Sequence, residues 1–468
     1  MSFSQNIYPE RDERYDVTLQ QQKWLPCTVE ISRTNHLLKQ SVWLFFFLLL
    51  FEGALRKWFL PSLATPLLVV RDPLAVWLIA VAWKRNLLPS NVYLIGMAVF
   101  GFTGLITAVF LGHGNLPVAV YGARILLIHF PVMFIIGRVF TAHDVVKIGK
   151  AMLWISIPMI VITALQFYSP QSAWVNRGVG GDMEGSGFNG GAMGYFRPSG
   201  TFSFTTGNTL FFSLLAPFVF YFWLQPKGTS RLLLIAATLS LFASIPISIS
   251  RGLLFQVGVT LIFTILATAK NPRYIRHILT AVIASFLVFA ILSNTEFFRT
   301  ATEVFFARFE SASDDEGGLK GTLVDRFLGG LLSAVSESDN QPFWGYGIGM
   351  GTNVGSMLLT GDREFLIAEG EWGRLIGEMG PLMGLGVIII RLGFCSETAI
   401  LSYRKVLAGD MLPWILLSAG VLIILQGQWA QPTTLGFSTF MGGLILASLQ
   451  EPYKLRLRID NNASPASA

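Results

Sequence analysis

Ionisable side chains interrupt otherwise apolar blocks at a few positions: Glu52 and Arg56, Arg71 and Asp72, Arg124, Arg251, and the group Glu369, Glu371, Arg374 and Glu378. Buried in hydrocarbon, each costs several kcal/mol unless it is paired or faces water. Two kinds of chemistry suit them. Guanidinium groups carry a fixed charge and bidentate donors, the geometry that matches a diphosphate. A carboxylate beside them can orient a hydroxyl or take its proton. Arg251 and Arg374 are the first candidates for an anion grip. Glu52–Arg56 and Arg71–Asp72 read equally well as structural pairs that satisfy each other.

Other polar residues carry less. His113, in a short loop, and His129, inside an apolar block, read as loop and packing residues. The glycine-rich run Gly178–Gly194 lacks the Lys-Ser/Thr helix start of a phosphate loop and reads as a flexible substrate-contacting loop. Cys27, Cys395 and the five histidines show no metal-ligand spacing, so neither a disulfide framework nor a metal or cofactor is implied.

These groups need elements to position them. The chain has 468 residues, 52% hydrophobic and 13% charged, where a soluble protein carries about 25% charged residues. Apolar blocks run near 42–60, 66–83, 91–111, 118–137, 148–167, 207–224, 231–249, 252–269, 278–293, 366–390, 412–427 and 433–450. Blocks of that length match helices crossing ~30 Å of hydrocarbon. The expected fold is therefore an all-α polytopic membrane protein of about 12 transmembrane helices.

The connections alternate in charge. Lys84 and Arg85, Arg138 and Lys147, Lys227, Lys270, Arg273 and Arg276, and Arg391, Arg404 and Lys405 fall on one side, while the short loops 61–65, 112–117 and 428–432 carry no basic residue. By the positive-inside rule both termini are cytoplasmic. Residues 1–40 form a polar tail without the apolar core or cleavage site of a signal peptide, residues 41–450 the membrane domain, and 451–468 a second tail. The net charge of +6 lies in these topology signals, which speaks against nucleic acid. Two outer loops are long, 168–206 and 294–365. The second has helical apolar spacing around Phe298, Phe305 and Phe309 and again around Leu323, Phe327, Leu331 and Ala334, as helices roofing the bundle would. Under this topology the charges gather in the outer half, as a polar chamber open to the outside.

Four segments stand in order along the chain: Arg197-Pro-Ser-Gly-Thr-Phe202 entering a span, the turn Ser250-Arg251-Gly252, the stretch Pro342-Phe-Trp-Gly-Tyr-Gly-Ile-Gly349, and Ala368-Glu369-Gly370-Glu371-Trp372 through Glu378-Met379-Gly380. Together they resemble the O-antigen polymerase/O-antigen ligase superfamily of membrane glycosyltransferases. The first two are similar to its Arg/Ser-Gly-Thr-Phe segment and Ser-Arg-Gly turn, the third to its Pro-x-x-Gly-x-Gly-x-Gly stretch, and the fourth to the ligase pattern Ala-His-Asn…Glu-x-Gly. Glu369 stands where the ligases carry His, and none of the histidines lies in 294–390, which favours a polymerase. Arg177 and Arg308 each find a glycine ten residues on, at Gly187 and Gly318, where the polymerase pattern has eleven.

The resemblance implies a GT-C-like bundle at the outer face of the bacterial inner membrane. It implies an undecaprenyl-diphosphate-linked oligosaccharide as substrate, the lipid bilayer as surroundings, and a chain-length regulator and flippase as candidate partners. An acceptor hydroxyl attacks the donor's anomeric carbon and the diphosphate leaves, with no metal required. Preplaced cations would stabilise that leaving charge. Arg251 and Arg374 would grip it, helped by Arg197 or Arg326, with Arg71 and Arg124 as further substrate contacts. Glu371 lies nearer Arg374's helix face and reads as its partner, leaving Glu369 as the freer base. The rivals are a ligase moving a finished glycan to an acceptor, and a transporter or flippase. No internal repeat supports a transporter.

Overall fold

A computed structural model describes residues 33–182, 190–269, 295–316, 336, 341–362, 366–368 and 370–450. Arg326, Glu369, Cys27, the expected span 278–293 and the second roofing stretch lie outside the described residues. The protein is a polytopic, all-helical membrane protein. Nine helices among the described residues are long and apolar enough to cross a membrane, and two shorter apolar helices, Arg231–Ile247 and Leu412–Gln426, fall where two further spans are expected.

Helix boundaries follow from local chemistry. Asn91 and Asn115 cap their helices by accepting from the amides of Leu94 and Val118. Thr141 and Asp144 form a reciprocal capping box at the start of Ala142–Tyr168. Each cap satisfies amides that the first helical turn leaves without a partner. Small residues then set the packing. Phe130–Val139 runs along Pro432–Leu449, where a side chain at Gly442 or Gly443 would meet Met133 or Ile136 within 2.6 Å, the close approach that membrane helices use.

Two spans widen locally into single π-turns, Leu55–Phe59 in the first and Ile125–His129 in the fourth. Such turns insert an extra residue, re-aim the side chains that follow and occur often at functional sites. Here they carry Arg56, Lys57, Trp58 and His129.

One expected span has a different form. Glu371–Leu407 is interrupted at Gly380, whose φ of 76° and ψ of 167° are not helical, just before Pro381. An added Cβ at Gly384 would sit 2.7 Å from the Cα of Ile376, so Glu371–Met379 folds back along the segment after Pro381. The block near 366–390 is thus a helical hairpin rather than one straight crossing. Proline supplies no amide to the ladder and glycine reaches the reversed φ, which is why the break falls there.

Candidate functional site

Two irregular segments are wedged among the helices. The first is 197–204. Gly200, at φ 60°, bends it, and side chains from three spans hold it. Lys57 Nζ donates to Ser199 Oγ (2.9 Å) and to the Gly200 carbonyl (2.7 Å). Gln166 accepts from the Gly200 amide at 2.7 Å, and Asn208 Nδ2 donates to the Pro198 carbonyl at 3.3 Å. Arg56 Nη1 donates to Ser203 Oγ at 2.9 Å, and Thr201 Oγ1 to the Leu50 carbonyl at 2.6 Å.

The second segment is 342–352. Gly345, Gly347 and Gly349 have φ of 74°, 109° and 96°, which only glycine adopts without strain. The Tyr346 and Gly347 amides donate to the carbonyls of Gly377 and Glu378. His113 Nε2 shares a 3.2 Å hydrogen bond with the Ile348 carbonyl, so this histidine staples its loop to the glycine-rich segment.

Between these segments runs a belt of buried charge. Glu52 accepts from Arg71 Nε at 3.1 Å and lies 3.5 Å from Arg56 Nη1. Asp72 accepts from Arg124 Nη1 at 2.5 Å and meets His129 Nε2 at 2.9 Å. The expected Arg71–Asp72 pair is therefore replaced by pairs between spans, and His129 is an ion-pair partner rather than a lone packing residue. Helical neighbours i and i+1 do not face each other, so Arg71 and Asp72 point to different partners. Gly436 leaves the room that Arg71 fills: a Cβ there would collide with its Nη1.

A second network forms inside the hairpin. Arg374 donates from Nε and Nη2 to Glu371 (2.9 and 2.8 Å) and from Nη1 to Glu378 (2.5 Å). Arg391 Nη2 donates to Glu371 at 2.8 Å and stacks on Trp429, 3.6 Å from its ring centre. The Gly351 amide donates to Glu378 and the Trp429 amide to Glu371. Glu371 is thus Arg374's partner, as the helix spacing suggests. All three guanidinium nitrogens of Arg374 are occupied, so gripping a diphosphate would require this network to open. Arg71 and Arg124 are held the same way, each by a carboxylate.

Arg197 and Arg251 belong to two other segments. Arg251 opens the helix Arg251–Thr268, behind Ser250, whose hydroxyl caps the Leu253 amide. Arg197 stands at the head of the wedged 197–204 segment, with its Nε buried and without a hydrogen-bond partner among the described residues. Burial and the like charges of Arg308 and Arg251 push its guanidinium down to about 10. Three arginines from three distant segments are therefore gathered at one end of the bundle. Arg308 comes from the helix Glu296–Glu316, the expected roofing helix, and donates from Nη1 to the Gly191 carbonyl at 2.8 Å. Gly191 belongs to a two-stranded hairpin, Gly190–Ala192 with Tyr195–Phe196, that leads directly into Arg197.

No protein-family profile matches this chain, and no curated protein matches it. The site therefore has to be read from its own chemistry. Like charges are brought together against their repulsion only where something else holds them or an anion is to be received. The start of Arg251–Thr268 adds the positive end of the helix dipole to the same place.

Of the residues singled out by sequence, the structure brings Arg197 and Arg251 together and sets Arg71, Arg124, Glu371 and Arg374 into buried ion pairs. Sequence reasoning gave little weight to Arg308 and none to Lys57. Arg308 does carry a signal: it adjoins Phe305 and Phe309, the apolar face of a helix that must lie on the bundle. Lys57 follows Arg56 in an apolar block, a second charge that no nearby carboxylate in the sequence explains.

Proposed function

We propose that this protein is a membrane glycosyltransferase that joins lipid-linked oligosaccharide repeat units, a polysaccharide polymerase working at the outer face of a bacterial inner membrane on undecaprenyl-diphosphate-linked substrate. The observation that carries this reading is the gathering of Arg197, Arg251 and Arg308 beside a helix start. Such a cluster suits the diphosphate of a glycosyl donor, whose charge grows as the glycosidic bond breaks. Preorganised cations then stabilise the transition state more than the ground state.

Arg251 is the central cation in this scheme, with Arg197 and Arg308 flanking it. Glu369, two positions before Glu371 in the sequence, remains the candidate base. Glu378, paired with Arg374, holds the glycine-rich segment at Gly351, and Arg56, beside Glu52, holds 197–204 at Ser203, while Arg71, Arg124 and Glu371 complete the surrounding buried pairs. Arg326 is retained from the sequence as a further candidate contact, as are a chain-length regulator and a flippase as partners.

Cells lacking this protein provide the test, read as the size of their lipid-linked glycan. A polymerase predicts single repeat units, restored to long chains by the wild-type protein. Long lipid-linked chains in the deletion strain would point to a ligase. An unchanged glycan profile would overturn the glycosyltransferase reading.

A further inference from the structure

A stacked pair of indoles stands beside the turn that carries Arg197. Trp58, from the π-turn of the first span, and Trp174, from the loop after Ala142–Tyr168, have ring centres 5.3 Å apart and planes 26° from parallel. Trp174 is 50% exposed. Trp58 lies partly buried against it, its Nε1–H without an acceptor among the described residues.

The pair is rigidly tied to the cationic turn. Gln166 Nε2 donates to the Val175 carbonyl at 3.0 Å, next to Trp174, and also to the Gly200 carbonyl at 3.2 Å. Asn176 Nδ2 donates to the carbonyls of Gln166, Ser169 and Pro170 and so closes the loop that presents Trp174. Lys57 Nζ lies 4.7 Å from the Trp58 ring centre while it donates to Ser199 and Gly200. One buried polar cluster thus fixes the indoles relative to Arg197. Tryptophans at a membrane boundary commonly act as interfacial anchors, and an anchor needs no such connection.

We propose that Trp58 and Trp174 form a sugar-binding platform, on which the free face of Trp174 stacks the pyranose nearest the diphosphate. This rests on the assignment of the arginine trio above. The C–H bonds on one face of a sugar carry slight positive charge and pack against the negative face of an aromatic ring. A large side chain with only two torsions, already fixed in place, loses little entropy on contact. The platform would select a glycosylated lipid over the bare carrier, which the cations alone do not distinguish.

The test uses the full chain in lipid nanodiscs and two probes. One is undecaprenyl diphosphate; the other is the single-repeat lipid extracted from cells lacking the protein. Wild type is expected to bind the glycosylated probe about tenfold more tightly, the scale of one good aromatic contact. Trp174→Ala should lose that preference while binding the bare carrier normally, and Trp174→Phe should keep most of it. A Trp174→Ala variant with the full preference would overturn the platform and leave the arginines untouched. An Arg251→Ala variant that binds both probes like wild type would overturn the arginine assignment and the platform with it.

Discussion

Glu371 and Arg391, twenty positions apart, meet through a 2.8 Å hydrogen bond. A straight helix would hold them about 30 Å apart, and the reversal at Gly380 closes that gap. The carboxylate of Glu371 thereby serves two guanidiniums at once, those of Arg374 and Arg391, and also the amide of Trp429. This contact fixes the short arm of the hairpin and, through Glu378, the glycine-rich segment packed on it.

Removing that carboxylate leaves two buried cations underbalanced. Glu371→Gln is expected to cost about 3–5 kcal/mol, the usual penalty for breaking a buried pair from one side. Thermal unfolding of the detergent-purified protein should show this as a large fall in midpoint, and the variant should be scarce in membranes. Arg251→Ala, at a partly exposed helix start, should unfold close to wild type.

The glycines of 342–352 differ in tolerance from glycines in open helix. At Gly349 an added Cβ would lie 2.1 Å from the Val118 carbonyl oxygen, and φ is 96°. Gly349→Ala should therefore lose about 2 kcal/mol or more, from strain and overpacking together. Gly258, inside a helix, has nothing within 4 Å of an added Cβ. Gly258→Ala should be neutral or stabilising by up to about 1 kcal/mol. Expression level and unfolding midpoint of the two variants make the comparison.

Lys57 holds the Arg197 turn through two hydrogen bonds and has no ion-pair partner among the described residues. Lys57→Met keeps the bulk, strands the Ser199 hydroxyl and leaves the Gly200 carbonyl with Gln166 alone, at a cost of about 1–3 kcal/mol. Membrane levels should fall modestly and polymer formation much more, because the turn that presents Arg197 loosens. Normal polymer length from this variant would remove Lys57 from the account.

Arg197 also gives the site a pH limit. Its guanidinium is pushed down to about 10, so its charge is lost as pH rises through that value and anion binding weakens with it. Wild-type affinity for undecaprenyl diphosphate should decline above about pH 9, one unit below that midpoint. Arg197→Gln should bind more weakly at neutral pH and lack this alkaline decline. Identical pH profiles would contradict the assignment.

The spans were legible because block length and apolar content decide whether a helix crosses a bilayer, independently of its neighbours. The outermost charges were legible for the same reason, since a charge inside such a block needs an explanation. Their partners were not. Arg71 is adjacent to Asp72 in sequence yet bonds Glu52 on the preceding span, and Asp72 bonds Arg124, fifty-two positions on. Which helix lies beside which is set by packing between distant segments, which no local pattern encodes. The hairpin at Gly380 did leave a local trace: Gly380-Pro381 is a pair that marks turns, and the apolar run around it obscured the break. The gathering of Arg308 with Arg197 and Arg251 depends on how the helix Glu296–Glu316 lies on the Gly190–Phe196 hairpin, and appears only in the folded chain.

The most direct test of the central claim is polymerisation by the purified full chain supplied with single-repeat lipid, comparing wild type, Arg251→Ala and Arg251→Lys at matched, folded protein concentrations. A ladder of longer lipid-linked chains from wild type, none from Arg251→Ala and a weak ladder from Arg251→Lys is the expected result, because a point charge replaces only part of a bidentate grip. A full ladder from Arg251→Ala would contradict the account.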